Sequence, residues 1–165
     1  MANNQLSLAE KARKIRNSPL LWIKKFCWVV DRDNKEHVRF IPTQQQEEFL
    51  NELNKKVILL KSRQLGFSTI MCAFSLYKCM TQKNSSCLLM AHFGTTATEL
   101  FDRIKTMYEK LPQKIKQPIV KKNKSEFLFA NGSKITVGVD GKDWRGFSFN
   151  VIHISEMSSM KESIK

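Results

Sequence analysis

The run Val57-Ile58-Leu59-Leu60-Lys61-Ser62-Arg63-Gln64-Leu65-Gly66-Phe67-Ser68-Thr69 constrains this chain more than any other. Four aliphatic residues read as a buried strand, the polar stretch around one glycine as a loop, and the apolar run from Ile70 to Met80 as a helix. Strand, tight loop and helix in that order converge backbone N–H groups and a helix N-terminus on one point, a cradle for phosphate. The P-loop pattern asks for Gly, four residues, then Gly-Lys-Ser/Thr. Gly66 and Ser68 fit it, but Lys61 stands where the first Gly is expected and Phe67 where the Lys is expected. The stretch is therefore either a variant P-loop with its lysine moved or a strand-to-helix connection with a basic rim.

The chain around it narrows the choice. Its 165 residues suit one domain with a real core, and 42% hydrophobic with 26% charged residues is ordinary for a globular protein. No run approaches the roughly 18 uninterrupted apolar residues of a membrane span. The start, Met1-Ala2-Asn3-Asn4-Gln5, lacks a basic segment followed by an apolar one, so neither secretion nor membrane insertion is expected. Cys27, Cys72, Cys79 and Cys87 form no CxxC pair and have no metal-like spacing, which predicts reduced, buried thiols. A net charge of +13 favours a polyanionic partner, most often nucleic acid.

Patterning predicts helices over about 8–16, from Pro19 (with Ser18 as its cap), over about 43–55, over about 68–81, and from a capping box at Thr96-Ala97-Thr98-Glu99 to about Leu111. It predicts buried strands at 57–60, 86–91 and 149–154, a short extended piece at 38–41, and a hairpin of 126–129 with 134–137 about Asn131-Gly132. Lys121 to Lys124 reads as a basic loop. Alternating strands and helices predict an α/β fold with a mainly parallel sheet, the hairpin being an antiparallel insertion. Only about three core parallel strands can be counted, so the sheet reads as incomplete.

Three pieces would cooperate in a nucleotide site. In the loop, Gly66 permits close backbone approach, the Ser68 hydroxyl reaches a metal, and Lys61 or Arg63 supplies a fixed cation. Val151-Ile152-His153-Ile154-Ser155-Glu156 has the form of a Walker B strand, or equally of a core strand followed by a helix-start Ser and Glu. Glu156 suits the role of orienting a water, while Ser155 replaces the expected metal-binding Asp, and a neutral hydroxyl holds Mg²⁺ less strongly than a carboxylate. Upstream, Gln46 stands where some nucleic-acid ATPases read adenine, although Thr43-x-x-Gln46 is itself a capping box. His37, His92 and His153 share no ligand spacing. Trp22, Trp28 and Trp144 read as core or docking residues rather than base-stacking platforms. Lys121, Lys122, Lys124, Lys134 and Lys142 cluster about the hairpin, either facing a phosphate backbone or simply solvated.

In this order the motifs resemble the N-terminal ATPase portion of the large terminase subunit, the DNA-packaging motor of tailed phages. Ser62-Arg63-Gln64-Leu65-Gly66 is similar to that family's Walker A core. Leu88-Leu89-Met90-Ala91-His92 with Glu99-Leu100-Phe101-Asp102-Arg103-Ile104-Lys105 and Leu111-Pro112 resembles its next strand and helix. Asn131-Gly132-Ser133-Lys134-Ile135 resembles its hairpin, and Arg145-Gly146-Phe147-Ser148 its approach to Walker B. The resemblance implies a P-loop NTPase fold of the ASCE type, ATP and Mg²⁺ as cofactors, double-stranded DNA as substrate, and a portal protein and small terminase subunit as partners, all in the host cytoplasm.

It also implies roles by position. Some family members carry the Walker A lysine at the start of the loop, where Lys61 stands, with a bulky residue at the usual site. Arg63 matches a γ-phosphate sensor or cis arginine finger, Ser68 a Mg²⁺ ligand with Ser155 at the usual acid's place, and Glu156 the residue polarising water. Ser62, Gln64, Leu65, Gly66, Phe67 and Thr69 complete the nucleotide cradle, with Gln46 at the adenine-motif position. The expected division is an N-terminal helical segment, 1–36, and a partial P-loop ATPase domain, 37–165. A coupling motif and a nuclease domain do not appear in the sequence, so a truncated or split terminase with weak or no independent ATPase is expected. The alternatives are a non-catalytic module binding DNA or a procapsid, and a superfamily 2 helicase fragment, although such helicases usually keep Gly-Lys-Thr and Asp-Glu.

Overall fold

A computed structural model describes residues 7–31, 33–53, 56–60, 65–141 and 144–155. Lys61, Ser62, Arg63, Gln64, Lys142 and Glu156, for which the sequence predicts site roles, lie outside the described residues. Ser7 caps α1 (Leu8–Asn17) in a full capping box with Glu10, and Ser18 caps α2 (Pro19–Phe26), with Pro19 at its first position. The proline has no N–H to lose there and its φ suits a helix, which is why the chain restarts after one extended residue. α1 buries no residue, whereas α2 sinks Trp22 and Ile23. A two-stranded hairpin follows, β1 (Trp28–Val30) antiparallel to β2 (His37–Arg39). It bridges the expected division at 36/37. Next come α3 (Gln44–Glu52) and α4 (Phe67–Thr81).

The main sheet holds β3 (Ser86–Ala91), β4 (Ile119–Lys122), β5 (Glu126–Phe129), β6 (Lys134–Val139) and β7 (Val151–Ile154), ordered β4-β5-β6-β3-β7. β3 pairs in parallel with both β6 and β7, and the β4-β5-β6 edge is antiparallel. α5 (Gly94–Glu109) follows β3. Alternation along β3 sorts the two faces of the sheet. Cys87, Leu89 and Ala91 join the main core with α4, α5 and α2. Leu88 and Met90 face the other way, against Trp144, Phe149 and Ile154. That second face admits Trp144 because β6 has a glycine beneath it. A Cβ on Gly138 would lie 2.2 Å from Trp144 Cζ2. In the main core Phe101 stacks on Phe127 with centroids 4.5 Å apart. All four cysteines are free and buried, as expected.

Several expectations are corrected. Residues 57–60 form no strand, and Val57, Ile58, Leu59 and Leu60 are 46%, 91%, 39% and 95% exposed. Among the described residues the aliphatic run pairs with no strand, although β7 has β3 as its one partner and leaves its outer edge open. The hairpin is no insertion, because its second strand, β6, is the parallel neighbour of β3. Among the described residues three strands run parallel, the number expected, but they are β6, β3 and β7.

The hairpin turn is a three-residue loop, Ala130-Asn131-Gly132. Phe129 N donates to Ser133 O (2.9 Å), Gly132 N to Phe129 O (3.0 Å), and Gly132 has φ +79°. Lys121 and Lys122 lie in β4, an edge strand, where exposed lysines discourage further pairing. The box at Thr96–Glu99 goes unused. α5 starts at Gly94 without a side-chain cap, and Glu99 turns instead to Arg103.

Candidate functional site

α4 begins where the sequence places its phosphate-facing end. Gly66 is its N-cap with φ +69°, a left-handed conformation that L-residues avoid, and no side chain caps the helix. The N–H groups of Phe67 and Ser68 are thus presented at an end that favours anions, while Thr69 N already donates to Gly66 O (3.0 Å). Phe67 itself is 5% exposed and sits edge-on to Phe49, ring centroids 5.3 Å apart. At the usual lysine position of the loop, this chain has a core anchor.

Gln46 joins α3 to this loop. Thr43 Oγ1 accepts from Gln46 N (3.4 Å) and Gln46 Oε1 accepts from Thr43 N (3.1 Å), a complete capping box. Gln46 Nε2 also donates to Leu65 O at 2.8 Å, with the residue 3% exposed. Capping and a reach to the loop therefore coexist in one side chain. A Cβ on Gly66 would come within 2.7 Å of that Nε2, so glycine there serves both the φ and the amide.

Ser68 meets the end of the last strand. Its Oγ lies 3.3 Å from Ser155 Oγ, 87 residues later. Ser155 is held at the mouth of the sheet by its N–H donating to Met90 O (2.9 Å), as Asp140 is by donating to Ala91 O (3.1 Å). The carboxyl ends of β3, β6 and β7 and the N-terminus of α4 thus share one edge, where ligands bind in open α/β sheets. For Mg²⁺, which takes oxygen ligands and keeps several waters, the hydroxyl pair fits as a weak, neutral partial shell. Among the described residues no group of three or more His, Cys, Asp or Glu could hold a metal.

Two groups here were not singled out from the sequence. Arg103 of α5 donates from Nη1 to Thr69 Oγ1 (3.4 Å) and pairs with Glu99 (3.5 Å). Asp140, after β6, faces His92 Nδ1 at 3.6 Å from its Oδ2, with the carboxylate side chain 6% exposed. The signal for Asp140 was available, since an acid ending an apolar strand is the same pattern that drew attention to Ser155-Glu156. Arg103 was hidden by the ordinary i, i+4 spacing from Glu99, which reads as a solvated helix face.

Behind Thr69, burial pushes the Cys72 thiol up to about 12, with the nearby Arg103 charge opposing. The fold does not bring the lysines into this constellation: Lys121 and Lys122 stand on β4, the edge opposite β7, with Lys124 just beyond. No helix among the described residues is long and apolar enough to cross a membrane.

A comparison with protein families gives a match over residues 58–165, from the aliphatic run through the loop, the sheet and the region after β7. The matching family is described as "Terminase large subunit, T4likevirus-type, N-terminal". Well over half of the chain is covered, including Gly66, Ser68, Arg103, Asp140 and Ser155 but not the α3 residues and their cap, Thr43, Gln46 and Phe49. The chain therefore belongs to the T4-like type of terminase large subunit N-terminal regions.

Proposed function

We propose that this chain is the nucleotide-binding motor part of a phage terminase, built on a P-loop NTPase fold and coupling ATP hydrolysis to packaging of double-stranded DNA into a procapsid. The observation that carries this is the Ser68–Ser155 contact, because it brings a P-loop hydroxyl against the end of a Walker B-like strand. Gly66 as a left-handed helix cap, with the Phe67 and Ser68 N–H groups presented, supports phosphate binding at the same point. In this reading Lys61 is the displaced Walker A lysine, Arg63 meets the γ-phosphate, Ser62, Gln64, Leu65, Phe67 and Thr69 line the cradle, and Gln46 fixes the loop. Ser68 and Ser155 would hold Mg²⁺, which supplies charge neutralisation at the β- and γ-phosphates when bound. Glu156 orients the attacking water. The proposed division is an N-terminal segment, 1–36, which carries α1 and α2, and a partial P-loop ATPase domain, 37–165.

The +13 charge suits a DNA partner, with Lys121, Lys122, Lys124 and Lys142 as candidate phosphate contacts. Portal protein and small terminase subunit, in the host cytoplasm, are the partners the family suggests. A second reading, nucleotide binding without turnover, is favoured by one observation: Ser155 offers no charge to the metal.

Nucleotide binding by the chain, measured with and without Mg²⁺, tests the proposal. Loss of binding in Lys61→Ala with little change in Phe67→Leu is the expected result. Unaltered binding in Lys61→Ala would sink the displaced-lysine reading. Basal turnover abolished by Glu156→Ala would exclude the second reading.

A further inference from the structure

Gln46, the residue at the adenine-motif position, has its amide engaged within the protein: its oxygen accepts from Thr43 N and its nitrogen donates to Leu65 O, at 3% exposure. The base of a nucleotide held by this loop needs another surface. A groove of about 340 Å³ opens between β1 and α5, and Thr69, the residue after Ser68, forms part of its wall. That volume lies within the range of small-molecule sites, about 300–1,000 Å³.

We propose that this groove receives the nucleoside of the nucleotide whose phosphates the 61–69 loop holds. The inference rests on the phosphate-binding reading above. Its chemistry is that of a flat apolar body with polar edges. Trp28, Val30 and Met107 supply an apolar lining, while Thr69, Asp102 and Arg103 supply polar groups. Arg103 is fixed by Thr69 Oγ1 at 3.4 Å and Glu99 at 3.5 Å, so a cation is held between the first turn of α4 and the groove. In this assignment that cation would meet the sugar-proximal phosphate. The Asp102 carboxylate accepts from N–H donors, which adenine's exocyclic amine provides and a bare phosphate chain lacks. Val30 is 45% exposed on the groove's rim, so a larger side chain there fills the space without entering the core.

Calorimetric titration of the full chain with Mg²⁺-ATP and, separately, with inorganic tripolyphosphate reads the two halves of the ligand apart. The expected result is ATP binding at least roughly tenfold tighter than tripolyphosphate, about 1.4 kcal/mol. In Val30→Trp the two affinities converge to within about threefold, because ATP weakens while tripolyphosphate is unchanged. Photolabelling of the unaltered chain with 8-azido-ATP, which needs no variant to fold, is expected on peptides carrying Trp28 or Asp102–Met107. Tripolyphosphate binding as tightly as ATP, an ATP advantage that survives in Val30→Trp, or labelling elsewhere would each overturn the groove assignment while leaving the phosphate cradle standing. Binding of neither ligand would overturn both.

Discussion

Gly66→Ala is the substitution that most directly tests how the loop is held. Two separate costs meet at this position. Alanine at φ +69° costs about 1–2 kcal/mol relative to glycine. The new Cβ would also lie 2.7 Å from Gln46 Nε2, inside contact distance, so the amide must withdraw and give up its 2.8 Å bond to Leu65 O. Leaving buried polar groups without a partner adds about 1–3 kcal/mol, for a total of about 2–5 kcal/mol. Urea denaturation followed by tryptophan fluorescence and far-ultraviolet circular dichroism measures it, given the buried Trp22.

The decisive comparison repeats Gly66→Ala in a Gln46→Ala background. With the obstructing amide gone, only the backbone cost of about 1–2 kcal/mol remains, so the double variant is less destabilised than the sum of the singles. A Gly66→Ala cost below about 0.5 kcal/mol, or additivity within about 0.3–0.5 kcal/mol, would refute the reasoning.

Ser155→Asp places a carboxylate against Ser68 and is expected to strengthen Mg²⁺-dependent nucleotide binding roughly tenfold, the scale of one charge-assisted contact. An unchanged Mg²⁺ dependence in titration would show that this hydroxyl pair is not a metal shell. Asn131→Ala removes donations to Cys79 O (2.8 Å) and Gln82 O (3.0 Å) that cap the far end of α4, and should lower stability by about 1–3 kcal/mol in denaturant titration. Alkaline pH should destabilise the fold in a defined window. Cys72 has its pKa raised from 9.0 to about 12 by burial, so the unfolded chain releases this proton first, and stability falls as pH rises from near 9 towards 12. Cys72→Ala should flatten that slope in pH-dependent denaturation; an unchanged slope would assign it to other groups.

The sequence made the local structure around α4 legible because each signal there is short-range. Ser18-Pro19, Thr43-x-x-Gln46 and Asn131-Gly132 each place a cap or a turn by their own chemistry. Ser68 and Ser155 were singled out separately by type and spacing, and their meeting at 3.3 Å follows from the order of strands. What was not legible depends on pairing. An aliphatic run such as Val57–Leu60 has the same composition whether or not it is paired, so hydrophobicity alone predicted a strand where the described residues show no ladder. The hairpin was readable, but not that β6 would also pair with β3, since register between strands distant in sequence is set by the assembled core. Arg103 and Asp140 were hidden for a related reason. Their partners, Thr69 and His92, lie on elements that only the fold brings beside them.

One consequence concerns α4 as a mechanical member. Its 15 residues span about 22 Å. Near one end, Ser68 and Thr69 are tied to Ser155 and Arg103; near the other, the carbonyls of Cys79 and Gln82 are tied to Asn131. With eleven of its side chains buried, the helix has little freedom to fray piecemeal, and its amides should exchange with solvent only when the whole domain opens. α1, which buries none, should exchange early by local opening. A strut pinned near both ends cannot absorb a shift at one of them: a tilt at the Ser68 end must reappear at the hairpin turn, on the opposite side of the sheet's central strands.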